Sequence, residues 1–154
     1  NGSNWQYTWC GNTEVPGCVL SLLNVPDTGQ YVVRVMEASN RAMSFGITLS
    51  TDVTGTLTAG VPLDVNLDVP GRQALLGFTA TAGQSATLSM ASISTTPTGK
   101  SVFMYVYNPS GTQVASTSGT TQATLNLTNL VAGTYSVLIQ PQKAATSTLQ
   151  VQIQ

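Results

Sequence analysis

Apolar and polar positions alternate along most of the chain. Phe45, Ile47 and Leu49 alternate with Gly46 and Thr48, Leu125 and Leu127 with Asn126 and Thr128, and Tyr31, Val33 and Val35 fall on one parity of their segment. A period of two places such residues on one face of a half-buried strand. Turn-forming residues interrupt the runs at Pro16-Gly17, Pro26-Asp27-Thr28-Gly29, Pro70-Gly71, Ala82-Gly83, Pro109-Ser110-Gly111 and Ala132-Gly133. No stretch of a dozen residues sustains an i, i+3, i+4, i+7 stripe, so helices are not expected. Short strands rich in Thr and Val, spaced by turns, predict an all-β sandwich.

The pattern repeats. Leu20, Leu22, Asn24, Gly29, Tyr31, Val33 and Val35 align with Leu125, Leu127, Asn129, Gly133, Tyr135, Val137 and Ile139, with one residue more in the first turn. Phe45, Ile47 and Leu49 then align with Leu149, Val151 and Ile153, and the aromatic run Trp5 to Trp9 aligns with the segment from Val102 to Tyr107. A unit of about one hundred residues is therefore present one and a half times. Residues 1–50 read as the rear half of one sandwich and residues 51–154 as a complete one.

Composition narrows the function. Of 154 residues, five are Lys or Arg and six Asp or Glu, giving a net charge of −1 without a basic cluster. That removes the electrostatic attraction on which nucleic-acid binding and adhesion to anionic membranes depend. The absence of histidine excludes Ser-His-Asp and Cys-His catalysis and most zinc sites. A hydrophobic content of 42% suffices for a core, and no apolar run reaches the ~18 residues of a spanning helix. The chain starts at Asn1 without a signal-peptide pattern, and a processed or cut terminus is expected there.

Three segments carry a resemblance: PGRQALLGFTATAGQSATLSM (Pro70 to Met90), VFMYVYNPSGTQVAS (Val102 to Ser116) and LNLTNLVAGTYSVLIQP (Leu125 to Pro141). A Pro-Gly-entered strand, a Tyr-x-Tyr-Asn-Pro-x-Gly hairpin and a Gly-Thr-Tyr strand are similar to those of the bacterial pre-peptidase C-terminal (PPC) domain family and its relatives in large secreted repeat proteins. The resemblance covers 51–154 fully and 1–50 as a half copy. It implies a jelly-roll-like antiparallel β-sandwich, one complete unit after a half unit, serving as a substrate-targeting or spacer module of an exported protein. Some such domains bind calcium, although their acidic clusters are not evident here.

Cys10 and Cys18 bracket a turn-forming loop. A disulfide closing so short a loop removes on the order of 2.5 kcal/mol of unfolded-chain entropy, and a staple of this kind fits an exported protein. Asp64, Asn66 and Asp68 share one face of a strand and are weak calcium candidates, because neighbours on one face lie nearly ~7 Å apart. Trp5, Tyr7 and Trp9 share a face whose alternate positions are polar, which favours them as core. Along Val102 to Tyr107 both parities are apolar. In similar domains the aliphatic set Val102, Met104 and Val106 points inward, leaving Phe103, Tyr105 and Tyr107 outward. A one-residue change of register between the copies exchanges these faces, so all six aromatics are candidate ligand-binding residues.

The six acids are scattered, and no pair suggests glycosidase chemistry. The expectation is a non-enzymatic secreted or cell-surface module without cofactor, structural or adhesive, with a carbohydrate-binding module as the alternative. Its expected partners are adjacent repeats of the same polypeptide or copies of itself, with polysaccharide as a further possibility. A lone rear half exposes an apolar face, to be covered by upstream sequence, by a neighbouring chain in a fibre, or by the other half.

Overall fold

Alternation becomes burial wherever two sheets face each other. The computed structural model describes residues 6–8, 10, 18–20, 22, 28–36, 42 and 44–154. Nine strands occur among them: β1 Val53–Thr56, β2 Leu63–Leu67, β3 Ala74–Ala80, β4 Ala86–Thr96, β5 Val102–Tyr107, β6 Gln113–Gly119, β7 Ala123–Leu127, β8 Gly133–Pro141 and β9 Thr146–Ile153. They form a five-stranded sheet in the order β1-β3-β8-β5-β6 and a four-stranded sheet in the order β2-β9-β4-β7. The fold is thus an all-β, two-sheet sandwich. One pairing departs from the expected antiparallel design: β1 runs parallel to β3.

The core lies between the sheets. In β5, Val102, Met104 and Val106 are buried and their alternates half-buried; in β3, Ala74, Leu76, Phe78 and Ala80 face inward in the same way. Opposite them stand Leu88 and Met90 of β4, Val65 and Leu67 of β2, and Leu149 and Val151 of β9. β4 carries a bulge between Ala91 and Ser94, with Ser92 at φ 54°. The freed amide of Ile93 donates to the carbonyl of Thr121, so the bend tucks the strand against the loop before β7.

The front strands of the complete sandwich, β1–β4, and its rear strands, β5–β9, are not separate sheets. β8 lies between front strand β3 and rear strand β5, and β9 lies between β2 and β4, both from the front half. The rear half therefore contributes strands to each layer rather than a layer of its own. This corrects the expected picture of a rear half with one apolar face of its own.

The same topology explains a second correction. Residues 28–36 and 44–50, expected as strands on the pattern of β8 and β9, form no ladder. β9 itself is held between β2 and β4, whereas none of the described residues among 1–50 lies in a strand. A strand exists through its partners' backbone groups, and alternation alone cannot supply them. Burial follows suit: Leu49 is 90% exposed, whereas its equivalent Ile153 is buried. A fully buried side chain of this size contributes about 1.5–3 kcal/mol, and the first copy forgoes that at Val33, Val35, Phe45 and Ile47 as well.

The extra length between aromatic strand and β7 in the second copy is β6, the edge strand of the larger sheet. In the first copy the residues of that connection, 11–17, lie outside the described residues; its flanking Cys10 and Cys18 form a disulfide with Cα atoms 5.1 Å apart.

Gly133 shows how much context the complete copy adds. It has φ 136°, and a Cβ there would lie 2.6 Å from Cγ of Pro109; at its equivalent Gly29 nothing lies within 4 Å. Gly133→Ala is expected to cost about 1–3 kcal/mol through backbone strain and displacement of the Pro109 turn. Gly29→Ala should stay within about 0.5 kcal/mol, and urea unfolding of both variants measures the contrast.

Candidate functional site

The outer face of the larger sheet gathers three of the six candidate aromatics. Because Val102, Met104 and Val106 point into the core, Phe103, Tyr105 and Tyr107 line the outer side of β5, each half-buried. Phe103 and Tyr105 lie nearly parallel, ring centroids 6.1 Å apart at 14°. Register adds neighbours from flanking strands: Leu75 of β3 pairs with Leu138 of β8, Leu138 with Tyr105, and Tyr105 with Ser116 of β6. An apolar row therefore crosses the sheet and ends in the hydroxyl-bearing edge of Ser116 and Ser118. Leu138 is buried despite facing outward; Leu75 is exposed.

Leu75 and Leu138 were missed by the sequence reading, although a signal exists. Both break the alternation of their strands, apolar where the core-facing parity does not require it, as in ALLGFTA and GTYSVLIQP.

The hairpin joining β5 to β6 is organised by Asn108. Its Oδ1 accepts from the amides of Ser110 at 3.1 Å and Thr112 at 2.9 Å and from the Ser110 hydroxyl at 2.7 Å. Gly111, at φ 79°, donates its amide to the Asn108 carbonyl at 2.9 Å. The Asn-Pro-x-Gly motif is thus a turn device, an Asx turn that fixes the end of the aromatic strand.

The remaining candidates do not join this face into one site. Tyr7 is 78% exposed, against its expected place in a core; Trp5 and Trp9 lie outside the described residues. Asp64 accepts from Gln150 Nε2 at 2.9 Å, and Asp68 is paired with Arg72 at 2.5 Å, so the two acids serve different neighbours. Among the described residues no three His, Cys, Asp or Glu side chains come together as a metal would require. Asp52, ahead of β1, has its carboxyl raised above its ordinary value by burial. The face offers rings, aliphatic surface and hydroxyls, which suit packing and stacking.

Comparison with known proteins supplies the family context. None of the curated proteins matches the chain. The pre-peptidase C-terminal domain of a collagenase from Bacillus anthracis superposes with a TM-score of 0.52 at 11% identity, covering 70% of this chain and all of that one. PliG of Aeromonas hydrophila, a periplasmic inhibitor of g-type lysozyme, covers 68% of this chain and all of its own with a TM-score of 0.42 at 16% identity. Residues 87–154 match the family model of the secretion system C-terminal sorting domain, a span running from within β4 to the end of the chain after β9. The chain thus holds a PPC-like β-sandwich whose β4–β9 portion is similar to secretion system C-terminal sorting domains, and the protein that carries it is secreted or held at the cell surface.

Proposed function

We propose that the chain is a non-catalytic module of an exported protein, in which the folded sandwich of residues 51–154 directs sorting and adds a structural repeat next to its neighbours. The observation that carries the reading is the span of the family match. It includes the central strands of both sheets, β8 and β9, and runs through to Gln154. That last residue is held by the fold, its amide and carbonyl exchanging hydrogen bonds with Thr87 of β4 at 2.9 and 2.8 Å. The test is fusion of residues 51–154 behind a periplasmic reporter in a bacterium with type IX secretion. The reporter should reach the medium or the cell surface, and retention in the periplasm would sink the sorting reading.

A second reading is favoured by the stacked Phe103–Tyr105 pair and the adjoining hydroxyls of Ser116 and Ser118. Rings bordered by hydroxyls suit a carbohydrate surface. Retardation of the protein on insoluble or soluble glycans should then weaken in Tyr105→Ala and Tyr107→Ala. A wild-type protein that migrates freely on every glycan would remove this reading.

A further inference from the structure

The two side edges of the sandwich differ in charge. Asp52 precedes β1, Asp64 lies in β2, and Asp68 and Arg72 follow β2, so ionisable side chains cluster along the β1/β2 edge. Between Arg72 and Lys143 the sequence has a single charged residue, Lys100, and none falls in β6 or β7, the strands of the opposite edge. β7 lacks the other common guards of an edge strand as well: its ladder to β4 is regular, without bulge or proline. Its inward residues Ala123 and Leu125 are only half-buried against the core, as is Ala115 of the adjoining β6. An unguarded edge with a half-covered apolar row is a template for one more strand.

The chain also holds a strand pattern without a ladder. Residues 44–50, SFGITLS, place Phe45, Ile47 and Leu49 on one parity and Ser44, Gly46 and Thr48 on the other, and none of them is charged. The three apolar side chains are exposed, and a Cβ on Gly46 would meet nothing within 4 Å.

We propose that residues 44–50 of one copy add to the free edge of β7 in a second copy and extend its four-stranded sheet to five. Phe45, Ile47 and Leu49 then continue the inward row of Ala123, Leu125 and Leu127, while Ser44, Gly46 and Thr48 continue the polar row of Thr124 and Asn126. The same pairing within one copy is out of reach. Leu49 is four residues from Val53 of β1, at most about 14 Å of chain. β1 and β6 stand at opposite ends of the larger sheet, four strand spacings or about 19 Å apart, and β7 adjoins β6. The nearer edge is the charged one. Donor and acceptor on opposite edges make the contact heterologous, so it propagates from copy to copy as a chain or ring. The proposal goes beyond the sorting reading and does not depend on it, because the export fusion begins at residue 51 and lacks the donor segment.

The experiment follows the full chain by sedimentation velocity over a concentration series, with hydrogen exchange at both ends of the series. The wild type should assemble as concentration rises, and amides 44–49 and 123–127 should slow while 63–67 do not. Ile47→Lys, outside every ladder, removes the donor, and Leu125→Lys guards the acceptor with an inward-pointing charge; each should weaken self-association by about thirtyfold or more. An equimolar mixture of the two should form a one-to-one dimer and nothing larger, since each variant keeps the half that the other lost. Urea unfolding checks that Leu125→Lys retains the sandwich, and Ala123→Lys takes its place in the mixture if it does not. A wild type that stays monomeric to millimolar concentration would overturn the proposal. So would assembly that Ile47→Lys leaves unchanged, or protection gained at 63–67 in place of 123–127.

Discussion

Replacing Tyr135 by alanine is expected to be among the most damaging single truncations in the sandwich, lowering its stability by about 4 kcal/mol. The ring is 2% exposed, sits in β8 at the centre of the larger sheet, and stacks on Phe78 with centroids 5.0 Å apart at 16°. Its hydroxyl accepts the amide of Val131 at 3.0 Å, tying the β7–β8 loop to the strand. Truncating a buried aromatic side chain costs roughly 3–5 kcal/mol, transfer and cavity terms together. Loss of one hydrogen bond adds about 1 kcal/mol at most, since Val131 is exposed and water can replace the phenol. Against a typical total of about 5–15 kcal/mol, that is a large share. For a domain near one hundred residues each kcal/mol moves Tm by about 4–8 °C, so a drop of roughly 15–30 °C is expected. Tyr135→Phe, which keeps the ring and loses the hydroxyl, should cost about 1 kcal/mol. Tyr31, the equivalent residue of the first copy, is 53% exposed, and Tyr31→Ala should change Tm by only a few degrees. Thermal unfolding of the three variants decides the matter. Equal losses at Tyr31 and Tyr135 would mean that both copies are packed alike.

The equivalence of Tyr31 and Tyr135 marks the limit of what alternation can reveal. It names the face of a strand that seeks burial, and in β3 and β9 the inward residues are those of the apolar parity. It does not name the neighbours. Nothing in TYSVLI distinguishes a strand between β3 and β5 from one between two rear strands, because pairing is decided by contacts far apart in sequence. The parallel β1–β3 ladder was hidden for the same reason. So was the fate of residues 31–35, whose pattern is that of β8 and which form no ladder. The outer face was half legible. Phe103, Tyr105 and Tyr107 stood out by type, whereas Leu75 and Leu138 became its neighbours only through register.

Whether sorting reads the folded sandwich or a linear C-terminal stretch can be decided on the two faces of β9. Val151 is fully buried and aligned with Leu63 of β2 and Met90 of β4, so one side chain meets both flanking strands. Thr148, on the opposite face, is exposed beside Asn66. Val151→Lys must bury an unpaired amine in a dry layer, costing several kcal/mol on the order of the domain's whole stability. Thr148→Lys places the same side chain in water, near the exposed Asp64, and should change stability by about 0.5 kcal/mol or less. The two variants differ little in linear chemistry and greatly in fold. If the sandwich itself is the sorted object, a reporter fused to residues 51–154 should lose export with Val151→Lys, down to the level of unfused reporter, and keep it with Thr148→Lys. Equal export of both would show that the machinery reads the terminal segment before or without folding. Loss of export in Thr148→Lys alone would place a recognition surface on the exposed face of β9, where Asp64 and Gln150 are joined by their hydrogen bond. The readout separates these cases because urea unfolding of the same purified domains reports independently which variant has lost the fold.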